Sequence, residues 1–285
     1  MSKFILSAFS DEIDGKLDTQ MDVLDQHGIN HIEMRGVNGK LLVDHTLKEA
    51  KEVKKKIDAR GFKLSAIGSP IGKMSITDNF ESHLKLLKHS LEIAEIMECK
   101  YIRMFSFFIP KGENPDKYKD EVINRWKRFA HVAEGSGVVL LHENESGIYG
   151  DSPERCLDLL ETINKDHVKA IFDFANFVQC NAVIYPDAFE LLKDYIVYIH
   201  VKDAKQSNHQ VVPAGEGDGN IREVLKELYD SGYEGFLSLE PHLWDYQDFS
   251  LLDSDSPGFD LPVGNAKRFA VAVKALNDTL KQIKF

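Results

Sequence analysis

The chain has 285 residues, 43% of them hydrophobic and 28% charged, with a formal net charge of −11. That is the balance of a globular protein with ample core, and the acidic excess disfavours a nucleic-acid partner. No apolar run is long enough to span a membrane or to serve as a signal peptide.

Short apolar runs alternate with helix-period segments along the whole chain. The predicted pairs of strand and helix are Phe4–Phe9 with Leu17–Gln26, Asn30–Met34 with Leu47–Arg60, Phe62–Ile67 with Phe80–Met97, and Tyr101–Phe105 with Asp116–Glu134. Then follow Val138–His142 with Pro153–Ile163, Val168–Phe172 with Pro186–Lys193, Ile196–His200 with Ile221–Ser231, and Gly235–Leu239 with Asn265–Lys281. Gly28, Gly61 and Gly232 fall between helix and strand, where a left-handed residue ends a helix. Asp151-Ser152-Pro153-Glu154 has the order of a capping residue followed by a first-turn proline. The basic run Lys51–Lys56 reads as a solvated helix face. His242 to Gly264 is the longest irregular stretch, a length that usually marks a functional loop.

Alternation of this kind predicts an α/β fold with parallel strands joined by helical crossovers. Eight units in this length predict a single (β/α)8 TIM barrel over residues 1–285. An open doubly wound sheet would carry a glycine-rich turn after its first strand; here that turn reads Ser10-Asp11-Glu12-Ile13-Asp14. Cys99, Cys156 and Cys180 form no CxxC pair. They predict free thiols, a reducing compartment and a cytoplasmic protein.

Active sites of such barrels lie at the carboxyl ends of the strands. Four consecutive predicted strands end in metal-competent side chains: Glu143, Asp173, His200 and Glu240. Side chains alternate along a strand, so Leu141, Ile171, Tyr198 and Ser238 should point inward with them. Three converging carboxylates repel one another unless a cation lies between them. Oxygen ligands with one imidazole favour Mn²⁺, with Co²⁺, Mg²⁺ and Zn²⁺ as the other candidates.

The chain resembles the xylose isomerase-like sugar isomerases and epimerases, the ketose 3-epimerases in particular. The resemblance runs through FSDEI at Phe9–Ile13, HIEMRGVNG at His31–Gly39, SPIGK at Ser69–Lys73 and YIRMFSFF at Tyr101–Phe108. It continues through HEN at His142–Asn144, FDFAN at Phe172–Asn176, HVKDA at His200–Ala204, GEGDGNI at Gly215–Ile221 and GYEGFLSLEPH at Gly232–His242. It implies a Glu–Asp–His–Glu metal site on these four residues and a small carbohydrate substrate. It also implies proton transfer by Glu143 and Glu240 through a metal-stabilised enediolate. Two positions depart from the ketose 3-epimerases. Asn176 replaces a histidine three residues after Asp173, and Gln206 replaces an arginine six after His200.

Glu33, Lys73, Arg103, Asn176, Lys202 and Glu216 are the further candidates for substrate contact. An ion pair inside the barrel is the other reading of Glu33 and Arg103. Alternation turns His142 away from the barrel axis. No glycine-rich phosphate cradle is evident, which favours a free sugar over a sugar phosphate. Trp244, Phe249 and Phe259 are placed to close over a sugar or to pack against a second copy of the chain. An AP endonuclease of the same superfamily needs more strand-end histidines than this chain has. A lyase or dehydratase acting on a keto-sugar or inosose uses the same metal and enediolate, and is the principal alternative. A sugar-binding barrel without catalysis is the third.

Overall fold

A computed structural model describes residues 3–261 and 263–283. Eight parallel strands close into a barrel: β1 (Lys3–Phe9), β2 (His31–Met34), β3 (Lys63–Ile67), β4 (Tyr101–Met104), β5 (Val139–Glu143), β6 (Val168–Asp173), β7 (Ile196–Val201) and β8 (Glu234–Leu239). Strand β1 pairs with both β2 and β8, which closes the ring and leaves no sheet edge. This is the predicted (β/α)8 barrel.

The helices are α1 (Leu17–Gln26), α2 (Leu47–Ala59), α3 (Glu81–Met97), α4 (Lys119–Ala133), α5 (Pro153–Ile163), α6 (Phe174–Gln179), α7 (Phe189–Leu192), α8 (Ile221–Asp230) and α9 (Asn265–Ile283). Local chemistry sets their ends. Thr46 and Glu49 form a reciprocal capping box at α2, and the Ser152 hydroxyl accepts from Arg155 N just before Pro153 at α5. Gly28, Gly61 and Gly232 have φ of 67°, 75° and 81°, as their positions after helices require. Two predicted helices are interrupted. Asp116–Glu134 opens with a 3₁₀ turn at Pro115–Tyr118, and Pro186–Lys193 is a π turn at Ile184–Ala188 followed by the short α7. Helix α6 and two small hairpins, Gly36–Val37 with Lys40–Leu41 and Asp203–Ala204 with Val211–Val212, were not predicted.

Most of the apolar core lies between barrel and helices; a separate cluster of Ala66, Leu141, Ile171 and Tyr198 plugs the barrel interior. Leu141, Ile171 and Tyr198 are the inward residues that alternation predicts, and Ser238 is buried with them. The plug forms a floor beneath the four strand ends. No helix among the described residues is long and apolar enough to cross a membrane.

Candidate metal centre

Glu143 and Asp173 are the last residues of β5 and β6, His200 is next to last in β7, and Glu240 follows β8. All four are buried, and each presents a ligand atom within 4.8 Å of the others. Backbone detail holds them there. Asp173 and His200 are register partners across the β6–β7 pair. The Asn144 amide donates to the Asp173 carbonyl at 2.9 Å and accepts from its N–H at 3.0 Å, so a side chain continues the β5–β6 ladder. Asp173 also caps α6: its Oδ1 accepts from Asn176 N at 2.8 Å.

The centre is held together by charge. His200 Nδ1 lies 3.0 Å from Glu143 Oε1, 3.4 Å from Glu240 Oε2 and 3.7 Å from Asp173 Oδ2. Lys202 Nζ is 3.0 Å from Asp173 Oδ2 and 3.2 Å from Glu240 Oε2. Arg103 Nη1 is 3.2 Å from Glu143 Oε2 and 3.7 Å from Glu240 Oε1. Burial opposes ionisation of Glu143, but His200 and Arg103 outweigh it and hold the carboxyl at about 2. Burial likewise opposes the Glu240 charge, yet Lys202, His242 and His200 keep it well below the carboxylate range. The same holds for His200: burial disfavours its cation, but Glu33 and Glu143 push it well above the usual histidine value.

The residues fit a divalent cation. Glu143 Oε2 and Asp173 Oδ2 are buried and accept no hydrogen bond, although Arg103 and Lys202 lie within ion-pair distance. Unsatisfied buried carboxylate oxygens are costly, and a cation satisfies both. Four acidic side chains, Glu33, Glu143, Asp173 and Glu240, are buried around His200.

The other predicted residues divide. Asn176 reaches Glu143 Oε1 at 3.4 Å and the Asn144 carbonyl at 2.8 Å, on the rim of the cluster. Glu33 does not pair with Arg103; it lies fully buried against His200, with both oxygens at 3.1–3.2 Å from Nε2. Lys73 is outside the cluster, bonded to Glu145 at 2.9 Å and lying over the Phe105 ring. Glu216 is exposed on the loop before α8, beside α9 residues Ala275 and Thr279. Gln206 is also exposed. His142 points outward as predicted, against Trp126 and the Ser106 hydroxyl, and burial pushes its pKa down to about 4.

Several residues at the site were not singled out from sequence. Arg35 Nη1 reaches Glu240 Oε1 at 3.4 Å, its Nη2 lies 3.6 Å from Glu12 Oε1, and its Nε bonds Asp11 at 2.8 Å. His242 Nε2 lies 3.0 Å from Glu12 Oε1 and 3.4 Å from Glu240 Oε1. Glu12, Glu240 and His242 are close enough to suggest a second ion, but the Arg35 guanidinium already sits among them. FSDEI, HIEMR and LEPH contain these residues, so the signal was present. What was missing was that their loops fold over one mouth.

A family model for the xylose isomerase-like TIM barrel matches residues 21–248. A probable L-ribulose-5-phosphate 3-epimerase from Mycoplasma pneumoniae is 21% identical over 160 residues, 56% of this chain and 52% of that protein. An inosose dehydratase from Clostridium perfringens is 24% identical over 142 residues, 40% of this chain and 46% of that one. The chain spans about half the length of the curated relatives it matches. The crystal structure of a D-tagatose 3-epimerase-like protein superposes with a TM-score of 0.73 and 17% identity, covering 99% of this chain and 100% of that one. At that identity the likeness establishes the fold.

Proposed function

The chain belongs to the xylose isomerase-like TIM-barrel family, and on that premise we propose that it is a sugar or sugar phosphate isomerase, an epimerase or aldose–ketose isomerase. Glu143, Asp173, His200 and Glu240 would hold one divalent cation, with Mn²⁺ favoured. The observation that carries the reading is the convergence of these four buried side chains, with two carboxylate oxygens left unbonded. When bound, such a cation polarises a substrate carbonyl and balances the charge that develops on its oxygen.

The protein groups supply the proton transfers. Glu143 and Glu240 stand three strands apart around the barrel, so each addresses a different side of a substrate seated between them. One carboxylate removes the proton from the carbon next to the carbonyl, and the other returns a proton to the opposite face. That yields an epimer; return to the adjacent carbon yields the aldose–ketose pair. Arg103 approaches both glutamates; with His200 it keeps Glu143 ionised, while Lys202, His242 and His200 keep Glu240 so. Lys202 and Asn176 lie where substrate hydroxyls would be met. Three free thiols among the described residues suit a reducing, cytoplasmic setting.

Elimination is the second reading. The Lys202 ammonium gives the cluster a proton donor for a departing hydroxyl, and Asn176 and Gln206 depart from the 3-epimerase pattern. A screen of free and phosphorylated ketoses and inososes, with Mn²⁺ in deuterated water, separates the two. Isomerisation conserves mass apart from one deuterium at the exchanged carbon. A product lighter by one water assigns the site to dehydration instead.

A further inference from the structure

We infer that Glu33 is a positioning residue that sets the tautomer of His200, leaving Nδ1 as the nitrogen free to bind a cation. The inference rests on the cation site proposed above. The two histidine nitrogens face different surroundings. Nδ1 faces Glu143, Asp173 and Glu240, the ligand side. Nε2 faces Glu33 alone, at 3.1–3.2 Å from both oxygens. A carboxylate on the far nitrogen favours the tautomer that keeps the proton there as a donor, which leaves Nδ1 to the ligand side.

The fold builds this contact across the barrel. Glu33 is on β2 and His200 on β7, three strands apart around the ring. Strand β2 shifts register against β3 between Ile32 and Glu33, and such irregularities re-aim side chains next to sites. The His200 ring is held edge-on by Phe9 and Tyr198, with centroids 5.2 and 5.8 Å away. Below it the Tyr198 hydroxyl is 2.8 Å from Ser65 Oγ, which is 2.6 Å from Ser7 Oγ. Ring and carboxylate are both fully buried, so water cannot substitute for Glu33. A buried carboxylate on the far nitrogen fixes the orientation of a metal-binding histidine and raises its basicity.

Cadmium-113 loading of protein labelled with nitrogen-15 at histidine tests the assignment without relying on a variant. The expected spectrum shows one histidine with metal coupling at Nδ1 and a proton on Nε2. Coupling at Nε2 would overturn the inference. In Glu33→Gln the amide can donate to Nε2 and favour the wrong tautomer. Cadmium affinity by chelator competition should then fall about 10- to 100-fold, with the metal-free fold retained by circular dichroism. An unchanged affinity in a folded Glu33→Gln protein also overturns it, and the wild-type spectrum decides alone if that variant does not fold. If wild-type protein shows no histidine-bound cadmium, the cation site itself fails, and the inference goes with it.

Discussion

On the proposed ligand set, proton and metal would compete for the same nitrogen of His200. Burial opposes its charge, but Glu33 and Glu143 hold its pKa well above the usual value in the metal-free protein. A cation bound at Nδ1 would displace a proton from the ring. Binding at about pH 7 should release close to one proton per ion, and affinity should fall as pH falls; metal titration in weak buffer with a pH indicator measures both. Binding that releases no proton and does not change from about pH 8 to 6 contradicts His200 as a ligand. His142 acts oppositely on stability. Burial lowers its pKa to about 4, so the unfolded chain takes up the proton first. The stability it contributes is present above the unfolded value near 6.5 and is lost as pH falls toward about 4, by about 1.4 kcal/mol per pH unit. Melting the metal-free protein from about pH 7 to 4.5 should show this decline, and a flat profile would contradict it. The four candidate ligands were legible because each ends an apolar run. The partner of Glu33 was not, because the contact joins strands that sit apart in the ring, and no spacing in the sequence encodes it.

Among the elements, the loop between β7 and α8 shows how one residue organises a segment. Asp203 follows Lys202 in the chain and is buried. Its carboxylate accepts from the N–H groups of Ala204, Gly215, Gly217 and Gly219 at 2.9–3.0 Å. A Cβ at Gly217 would lie 2.5 Å from the Ala204 carbonyl oxygen and closer still to Asp203. Gly217 and Gly219 of GEGDG thus make room for the Asp203 carboxylate. Gly217→Ala should cost about 1–3 kcal/mol, read from the denaturant midpoint. Asp203→Asn should speed hydrogen exchange at Gly215, Gly217 and Gly219; unchanged exchange there would show that the loop is held by other contacts. The sequence displayed both halves of this device, HVKDA and GEGDG, but not their meeting. Helix α6 escaped for a related reason: six residues after a predicted strand give too little periodicity, and its start is set by Asp173, which reads as a ligand.

Across the whole molecule, the ligand set limits the number of ions. Glu143, Asp173, His200 and Glu240 gather at one point. A second ion beside Glu12 and His242 would meet Arg35. Metal analysis should therefore give close to one ion per chain, and Asp173→Ala should lose most of it; two ions per chain, or full occupancy without Asp173, would count against this ligand set. The barrel itself was legible end to end, since eight strand–helix alternations and well-placed glycines all pointed to it. The mouth was less so, because Arg35, His242 and Glu12 come from loops, where periodicity carries no information.

Glu143 and Glu240 are proposed to transfer protons at a cation-dependent centre. Replacing either by glutamine keeps an oxygen for the metal but removes the base. Turnover of each variant, measured with its metal content and with deuterium exchange into the substrate carbon next to the carbonyl, tests this most directly. Metal should be largely retained, turnover should fall by roughly 10²-fold or more, and exchange from a given epimer should be lost in one variant but kept in the other. Metal-loaded variants that turn over at wild-type rates would contradict it.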